Sequence, residues 1–384
     1  MLRLTGAALL VFTGSVFAGA AILRGAPPPD LSGTRLAGVQ TGPHAVGFDV
    51  VAESTGRMRL ALWYPARAAA PGSAAVTQLE YRQLEFENAT PGDARAFVDQ
   101  QVDVLVNARH VGIVPLTREQ ARDSLSTRGI AIRKAPALAR RFPVVLVFGG
   151  QYYLSTTAEM LASHGFLVAA PFRASGPPLE SPGDDFTVYV ENDLRAADWA
   201  VARIRTLANA DAARINVIGH GGGGQRAVVF AMRNPDVSAV VNVDAGNFST
   251  RSDSSRIRAY DPAQVRAPYL YLATEATRTQ QDRFDEFLRM ERADRFEVIL
   301  RHADLKHHDL SDLGRGVTEP LRLRGDSLQS VEEAFATSQE VIVRFLQTYV
   351  ARTAGQPDDF ERWLYTRLPT DRYRLTRHRT RAGF

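Results

Sequence analysis

The chain has 384 residues, of which 45% are hydrophobic, with 46 basic residues against 42 acidic ones and no cysteine. This length and apolar content supply a sizeable globular core and exclude collagen-like, disordered and disulfide-scaffold proteins. The lack of thiols excludes thiolate catalysis, zinc–thiolate sites and disulfides, though not an oxidising compartment. The net charge of +4 is local, because residues 351–384 carry eight arginines and four acids. The only lysines are Lys134 and Lys306, an arginine bias that reads as genome composition rather than as a nucleic-acid footprint.

Arg3 precedes an uncharged stretch, Leu4 to Leu23, that passes through Ala18-Gly19-Ala20, the small-x-small form a signal peptidase accepts. Residues 1–20 are therefore expected to be a signal peptide and the protein to be secreted or periplasmic. An uncleaved membrane anchor is the other reading, weakened by Thr5, Gly6, Thr13 and Ser15. Residues 21–41 form a leader stiffened by Pro27-Pro28-Pro29.

From Gly42 to residue 350, strand-like and helix-like segments alternate, which predicts an α/β domain. Its central sheet should be mostly parallel, with helices on both faces. No internal repeat is evident. His44–Ala52 and Met58–Tyr64, around a Ser54-Thr55-Gly56 turn, predict an opening antiparallel hairpin. Residues 84–140 are helical in pattern and read as an insertion or lid. Phe142–Phe148 and Phe166–Ala170 are continuous apolar runs flanking a short helix, Thr156–His164, and so predict a βαβ unit. Asn192–Leu207 has a helical stripe of Leu194, Ala197, Val201, Ile204 and Leu207, with Asn192 or Asp193 as the expected cap.

Further strands are expected at Arg214–Ile218, Ala239–Val243, Pro268–Ala273 and Phe296–Leu300, in parallel order throughout, with a helix over Gly222–Met232. Val331–Val350 closes the domain as an amphipathic helix. Residues 351–384 are expected to be a basic tail, solvated or docked on the surface, with no nucleic-acid role.

The most informative residues are Gly219-His220-Gly221-Gly222-Gly223-Gly224, between a strand and a helix. Gly219, Gly221 and Gly224 fit a dinucleotide fingerprint, with Asp244 following at a strand end. Gly219-His220-Gly221-Gly222-Gly223 also fits a nucleophile elbow, G-x-S-x-G, with glycine in place of the serine. A dinucleotide fingerprint usually opens its domain, whereas this turn follows two sheet strands and an insertion, and a histidine-bearing loop comes after the last strand. That context favours the elbow.

With the opening Gly42-Pro43-His44-Ala45-Val46-Gly47, Leu62-Trp63-Tyr64-Pro65-Ala66, Phe142-Pro143-Val144-Val145, Ala162–Pro171, Asp244-Ala245 and His307-His308-Asp309-Leu310-Ser311-Asp312-Leu313, the chain resembles the α/β-hydrolase superfamily. Within it, the likeness is to platelet-activating-factor acetylhydrolases and dienelactone-hydrolase-like carboxylesterases. The resemblance leaves out only the signal peptide, the insertion and the tail. It implies that Gly221 stands at the nucleophile position, Asp244 is the acid and His307 the general base. Backbone amides of Gln151 and Gly222 would form the oxyanion hole, although Gly149-Gly150-Gln151 replaces the family's usual His-Gly.

Acyl transfer needs an oxygen on the elbow residue, and glycine offers none. His220, Ser249, Thr250, Ser155 and Thr156 are the candidate substitutes, each with a more ordinary reading as a turn or cap residue; in this family the residue at the His220 position points away into the fold. A water activated by Asp244 and His307 is a further possibility. His302, Asp304, His307, His308, Asp309 and Asp312 are dense enough to raise a metal site, but they lack a regular ligand spacing, so no metal or other cofactor is expected. The expected partner is a small-molecule ester, lipid or anion, held partly by amides of the glycine-rich helix start. Peripheral membrane contact is left open, as is the oligomeric state.

Overall fold

The computed structural model describes residues 31–56, 58–68, 70, 72–84, 91–107, 116–150, 152–173, 186–249, 256–257, 260–314, 323, 325–351 and 356–380. Contacts divide the chain into Met1–Asp30 and Leu31–Phe384. The expected signal peptide and the Pro27–Pro29 leader lie outside the described residues. Among the described residues, no helix is long and apolar enough to cross a membrane.

The strands are β1 (Ala45–Ala52), β2 (Met58–Ala66), β3 (Ala75–Thr77), β4 (Arg128–Arg133), β5 (Phe142–Phe148), β6 (Leu167–Arg173), β7 (Ala210–His220), β8 (Val237–Val243), β9 (Tyr269–Thr274), β10 (Arg295–Leu300) and β11 (Tyr373–His378). They form one 11-stranded sheet in the order β11-β10-β9-β8-β7-β5-β6-β2-β1-β4-β3. The six strands from β6 to β10 are mutually parallel. Their apolar runs are buried on both faces; every residue of β8, β9 and β10 is buried. One face packs a cluster that includes Phe48, Trp63, Met160, Phe335 and Phe345, and the other a cluster that includes Leu146, Phe148, Leu194, Phe230 and Phe287.

The helices that bear on the site are α1 (Gln78–Gln83), α2 (Pro91–Val106), α3 (Arg118–Ser126), α4 (Ser155–Ser163), α5 (Phe186–Ile204), α6 (Gly222–Arg233) and α7 (Glu275–Thr279). The closing helix runs Gly325–Ala351, with Phe335, Ile342, Phe345 and Leu346 fully buried.

The strands expected in parallel order, β7 to β10, are parallel, and the antiparallel pairings lie elsewhere, at β1 with β2, β2 with β6, β3 with β4 and β10 with β11. Three expectations need correction. Helix α5 begins before Asn192, since Val190 continues the buried line of Leu194 and Ala197 one turn earlier. Neither Asn192 nor Asp193 caps it, and Asp193 instead pairs with Arg226. Residues 84–140 are not wholly helical: Gly129 and Ala131 alternate with Ile130 and Ile132, and this period of two makes β4, which pairs in parallel with β1. The basic tail is neither solvated nor merely docked. It folds as a helix (Gln356–Arg367) and as β11, which hydrogen-bonds along the edge of β10. Its Arg377 meets Asp294, Asp358 and Glu361.

Candidate functional site

Strand β7 ends at His220 and α6 begins at Gly222, so the chain reverses within Gly221, at φ 55° and ψ −127°. An L-residue is strained there. The surrounding glycines are needed for a different reason, close backbone approach. A Cβ on Gly219 would lie 2.2 Å from the Gly223 carbonyl carbon, and one on Gly223 would lie 2.3 Å from the Phe148 carbonyl oxygen. On Gly224 it would meet Ala245 Cβ at 2.6 Å. At Gly221 itself no backbone intrudes, and a Cβ would face His307 Nε2 at 3.1 Å.

His307 opens a short 3₁₀ turn, His307–Leu310. Its Nδ1 donates to Asp244 Oδ2 at 2.8 Å, so its Nε2 is the ring nitrogen turned toward Gly221. Asp244 follows β8 with a left-handed φ of 48° and is completely buried. Four donors hold its carboxylate: the Thr274 amide at 2.6 Å, the Thr274 hydroxyl at 3.0 Å, the Thr277 hydroxyl at 2.9 Å and His307. Burial alone would raise its pKa. The hydrogen bond and charge of His307, with the Thr274 amide, outweigh burial and hold it below the ordinary carboxylate range. Sequence reasoning missed Thr274 and Thr277; the signal was a Thr-x-x-Thr at a strand end, where Thr274 also caps α7 by accepting from the Thr277 amide.

The structure thus brings Gly221, Asp244 and His307 together, with Gly222 beside them. Gln151 lies outside the described residues, while Gly149 and Gly150 bend the loop after β5 with φ of 107° and 98°. His220 does not point away from the site: its Nε2 donates to the His307 carbonyl at 3.0 Å and its ring stacks on His307 with centroids 4.4 Å apart. Burial, with the positive charge available to His307, pushes His220 down to about 3.

Ser155 and Thr156 are occupied elsewhere. Asp312 accepts from the Ser155 hydroxyl at 2.6 Å and the Thr156 amide at 3.0 Å, in a buried group with Arg35, Glu159 and Tyr81. Thr250 lies outside the described residues. Ser249 lines the cavity. The suspected metal residues disperse: His302 meets Ser330, Asp309 receives the Lys306 amide, and Asp312 serves α4. Among the described residues, no group of three or more His, Cys, Asp or Glu is arranged to hold a metal ion.

In front of the elbow lies a cavity of about 480 Å³, lined by Gly221, Gly222, Asp244 and His307 and by carboxamide and hydroxyl side chains. A small apolar cluster of Val102, Leu105, Leu116, Ala121 and Leu125 from the insertion includes Leu313 of the His307 loop, so the insertion braces that loop.

No family model matches the chain, and no curated protein matches it. The mixed, mostly parallel sheet with its strand–turn–helix site defines an α/β, hydrolase-like fold. Among the solved structures similar to it is a ferulic acid esterase from Streptomyces cinnamoneus, 17% identical, with a TM-score of 0.56 over 84% of this chain and 95% of that one. At that identity the likeness is one of fold.

Proposed function

We propose that this protein is a secreted or periplasmic relative of ester hydrolases that has glycine at the nucleophile position. In this reading it forms no acyl-enzyme. Its cavity binds a small ester-, carboxylate- or phosphate-bearing molecule, with residual turnover only. The observation that carries the reading is the Asp244–His307 pair aimed at the α-carbon of Gly221, where a side chain would begin 3.1 Å from Nε2. Removing the nucleophile from such a triad typically abolishes about 10⁶-fold of turnover and leaves about 10³ to 10⁴ over water from the oxyanion hole and binding. The motif-level resemblance to platelet-activating-factor acetylhydrolases and dienelactone hydrolases supports the assignment of roles.

A second reading is favoured by the intact acid–base pair. His307 Nε2, oriented by Asp244, can take a proton from a water placed beside Gly221, giving slow direct hydrolysis. The dinucleotide reading is weakened by Asp244 itself, whose buried carboxylate already accepts from four donors and has no surface to offer a ribose.

Gly221→Ser tests the main reading on p-nitrophenyl acetate. The reading expects the variant to gain esterase activity and fluorophosphonate labelling at residue 221, while the natural protein takes no label and shows no more than residual turnover. A fluorophosphonate-labelled Ser or Thr in the natural protein, or turnover at ordinary enzymatic rates, overturns it.

A further inference from the structure

The first amides of a helix need an acceptor, which the residue before the helix usually supplies from its side chain. Helix α4 has no such cap of its own, because Leu154 stands at that position. The acceptor comes instead from the loop that carries His307. One carboxylate oxygen of Asp312 receives the Thr156 amide at 3.0 Å and the Ser155 hydroxyl at 2.6 Å. All three residues are buried, and a carboxylate suits the positive end of a helix.

The two ends of this contact belong to two loops that meet at the elbow. Asp312 follows the 3₁₀ turn that starts at His307. Helix α4 follows the bend at Gly149 and Gly150, where a Cβ on Gly149 would lie 3.4 Å from the Gly223 α-carbon. A second bond runs beside the first, from the Asp312 amide to the Tyr153 carbonyl at 2.9 Å. Asp312 is thus a backbone donor and a side-chain acceptor to one short segment, residues 153–156. Arg35 backs the carboxylate at 3.7 Å and is itself fixed to Glu159 at 2.9 Å.

The sheet order β8-β7-β5 gives this contact its consequence. His220, at the end of β7, and Asp244, after β8, hold His307 from one side. Asp312 ties the far end of the same turn to the β5 side. We propose that Asp312 is a positioning residue, which locks the His307 turn to the loop after β5 so that the base and the glycine bend keep one fixed spacing across Gly221. This role does not depend on what the cavity binds, and it stands or falls apart from the ligand reading.

The test compares the full chain with Asp312→Ala, Asp312→Asn and Ser155→Ala and reads, by proton NMR, how fast the His307 Nδ1–H exchanges with solvent. Asp312→Ala should speed that exchange at least about tenfold and shift the amide resonances of Gly149 and Gly150. Asp312→Asn keeps an acceptor for Ser155 and Thr156 and leaves Arg35 and Glu159 as a balanced pair, so its exchange should stay within about twofold of the natural protein's. Ser155→Ala removes one of the two donors and should speed exchange about threefold; it decides the matter if Asp312→Ala does not fold. Arg377→Ala, at the far edge of the sheet, controls for a general loss of stability and should leave the exchange unchanged. The proposal is overturned if Asp312→Ala, or Ser155→Ala in its place, exchanges within about twofold of the natural protein. It is overturned equally if Arg377→Ala or Asp312→Asn speeds exchange as much as Asp312→Ala does.

Discussion

His220 donates its Nε2 proton to the backbone carbonyl of His307 at 3.0 Å while the two rings lie stacked, 28° from parallel. A carbonyl oxygen only accepts, so the proton must sit on Nε2 of His220. His307 is therefore held at two points, by its carbonyl through His220 and by its Nδ1 through Asp244. The elbow residue that supplies no side chain is preceded by one that fixes the base.

Replacing His220 by Phe keeps a ring for stacking and removes the donor. The expected loss is about 1 kcal/mol of stability, together with weakening of the low-field Nδ1–H resonance of His307 in proton NMR. An unchanged resonance would show that Asp244 alone orients the base.

The same histidine makes stability depend on pH. Burial, seconded by the charge of His307, holds His220 near 3 and His308 near 4, both well below the ordinary 6.5. Between these values and 6.5 the unfolded chain binds protons that the folded chain refuses. Stability from this source is whole above about pH 6.5 and is lost as pH falls through that interval, at up to about 1.4 kcal/mol per pH unit for one fully buried site. Urea midpoints measured from pH 7.5 to pH 4 should fall accordingly, and His220→Phe should flatten the slope.

Alanine substitutions in the glycine turn should rank by what the new Cβ meets. Gly219→Ala and Gly223→Ala collide with backbone at 2.2 and 2.3 Å and are expected to unfold the domain or destabilise it by more than about 3 kcal/mol. Gly221→Ala meets only the His307 ring and carries the left-handed strain, about 1–3 kcal/mol. Gly222→Ala, which meets the movable end of Arg226 in the first turn of a helix, should change stability least. Denaturant unfolding of the four variants checks the order.

Arg35 is buried between Glu159, at 2.9 Å, and Asp312, at 3.7 Å, and donates to Ser155 and Gln78 as well. Arg35→Met leaves two carboxylates buried without their cation and should cost about 3–5 kcal/mol. Adding Glu159→Gln should restore part of that loss, which a double-mutant cycle measures. Because Asp312 belongs to the His307 loop, Arg35→Met should also broaden the His307 resonances.

At the sheet edge, the Arg377 side chain is 6% exposed among three carboxylates, whereas Arg379 is 60% exposed. Arg377→Ala is expected to cost about 2–4 kcal/mol and Arg379→Ala less than about 1 kcal/mol. Equal thermal shifts for the two would mean that the tail does not need its buried cation.

The sequence alone determined the alternation of apolar strands and helices, because runs such as Phe142–Phe148 and Phe166–Ala170 are buried on both faces and read as strands without any knowledge of their neighbours. It also determined that the turn after β7 had to be glycine-rich, although not which glycine serves backbone approach and which serves left-handed geometry. Only the tertiary structure decided that Asp244 and His307, 63 residues apart, share a hydrogen bond and face Gly221. Only it showed His220 turned toward His307 rather than away, and the arginine-rich tail bound into the sheet edge. These are contacts between distant segments. The pattern along a chain records which residues seek burial, whereas the partner that satisfies a buried donor, acceptor or charge is chosen by where the packed strands bring their ends.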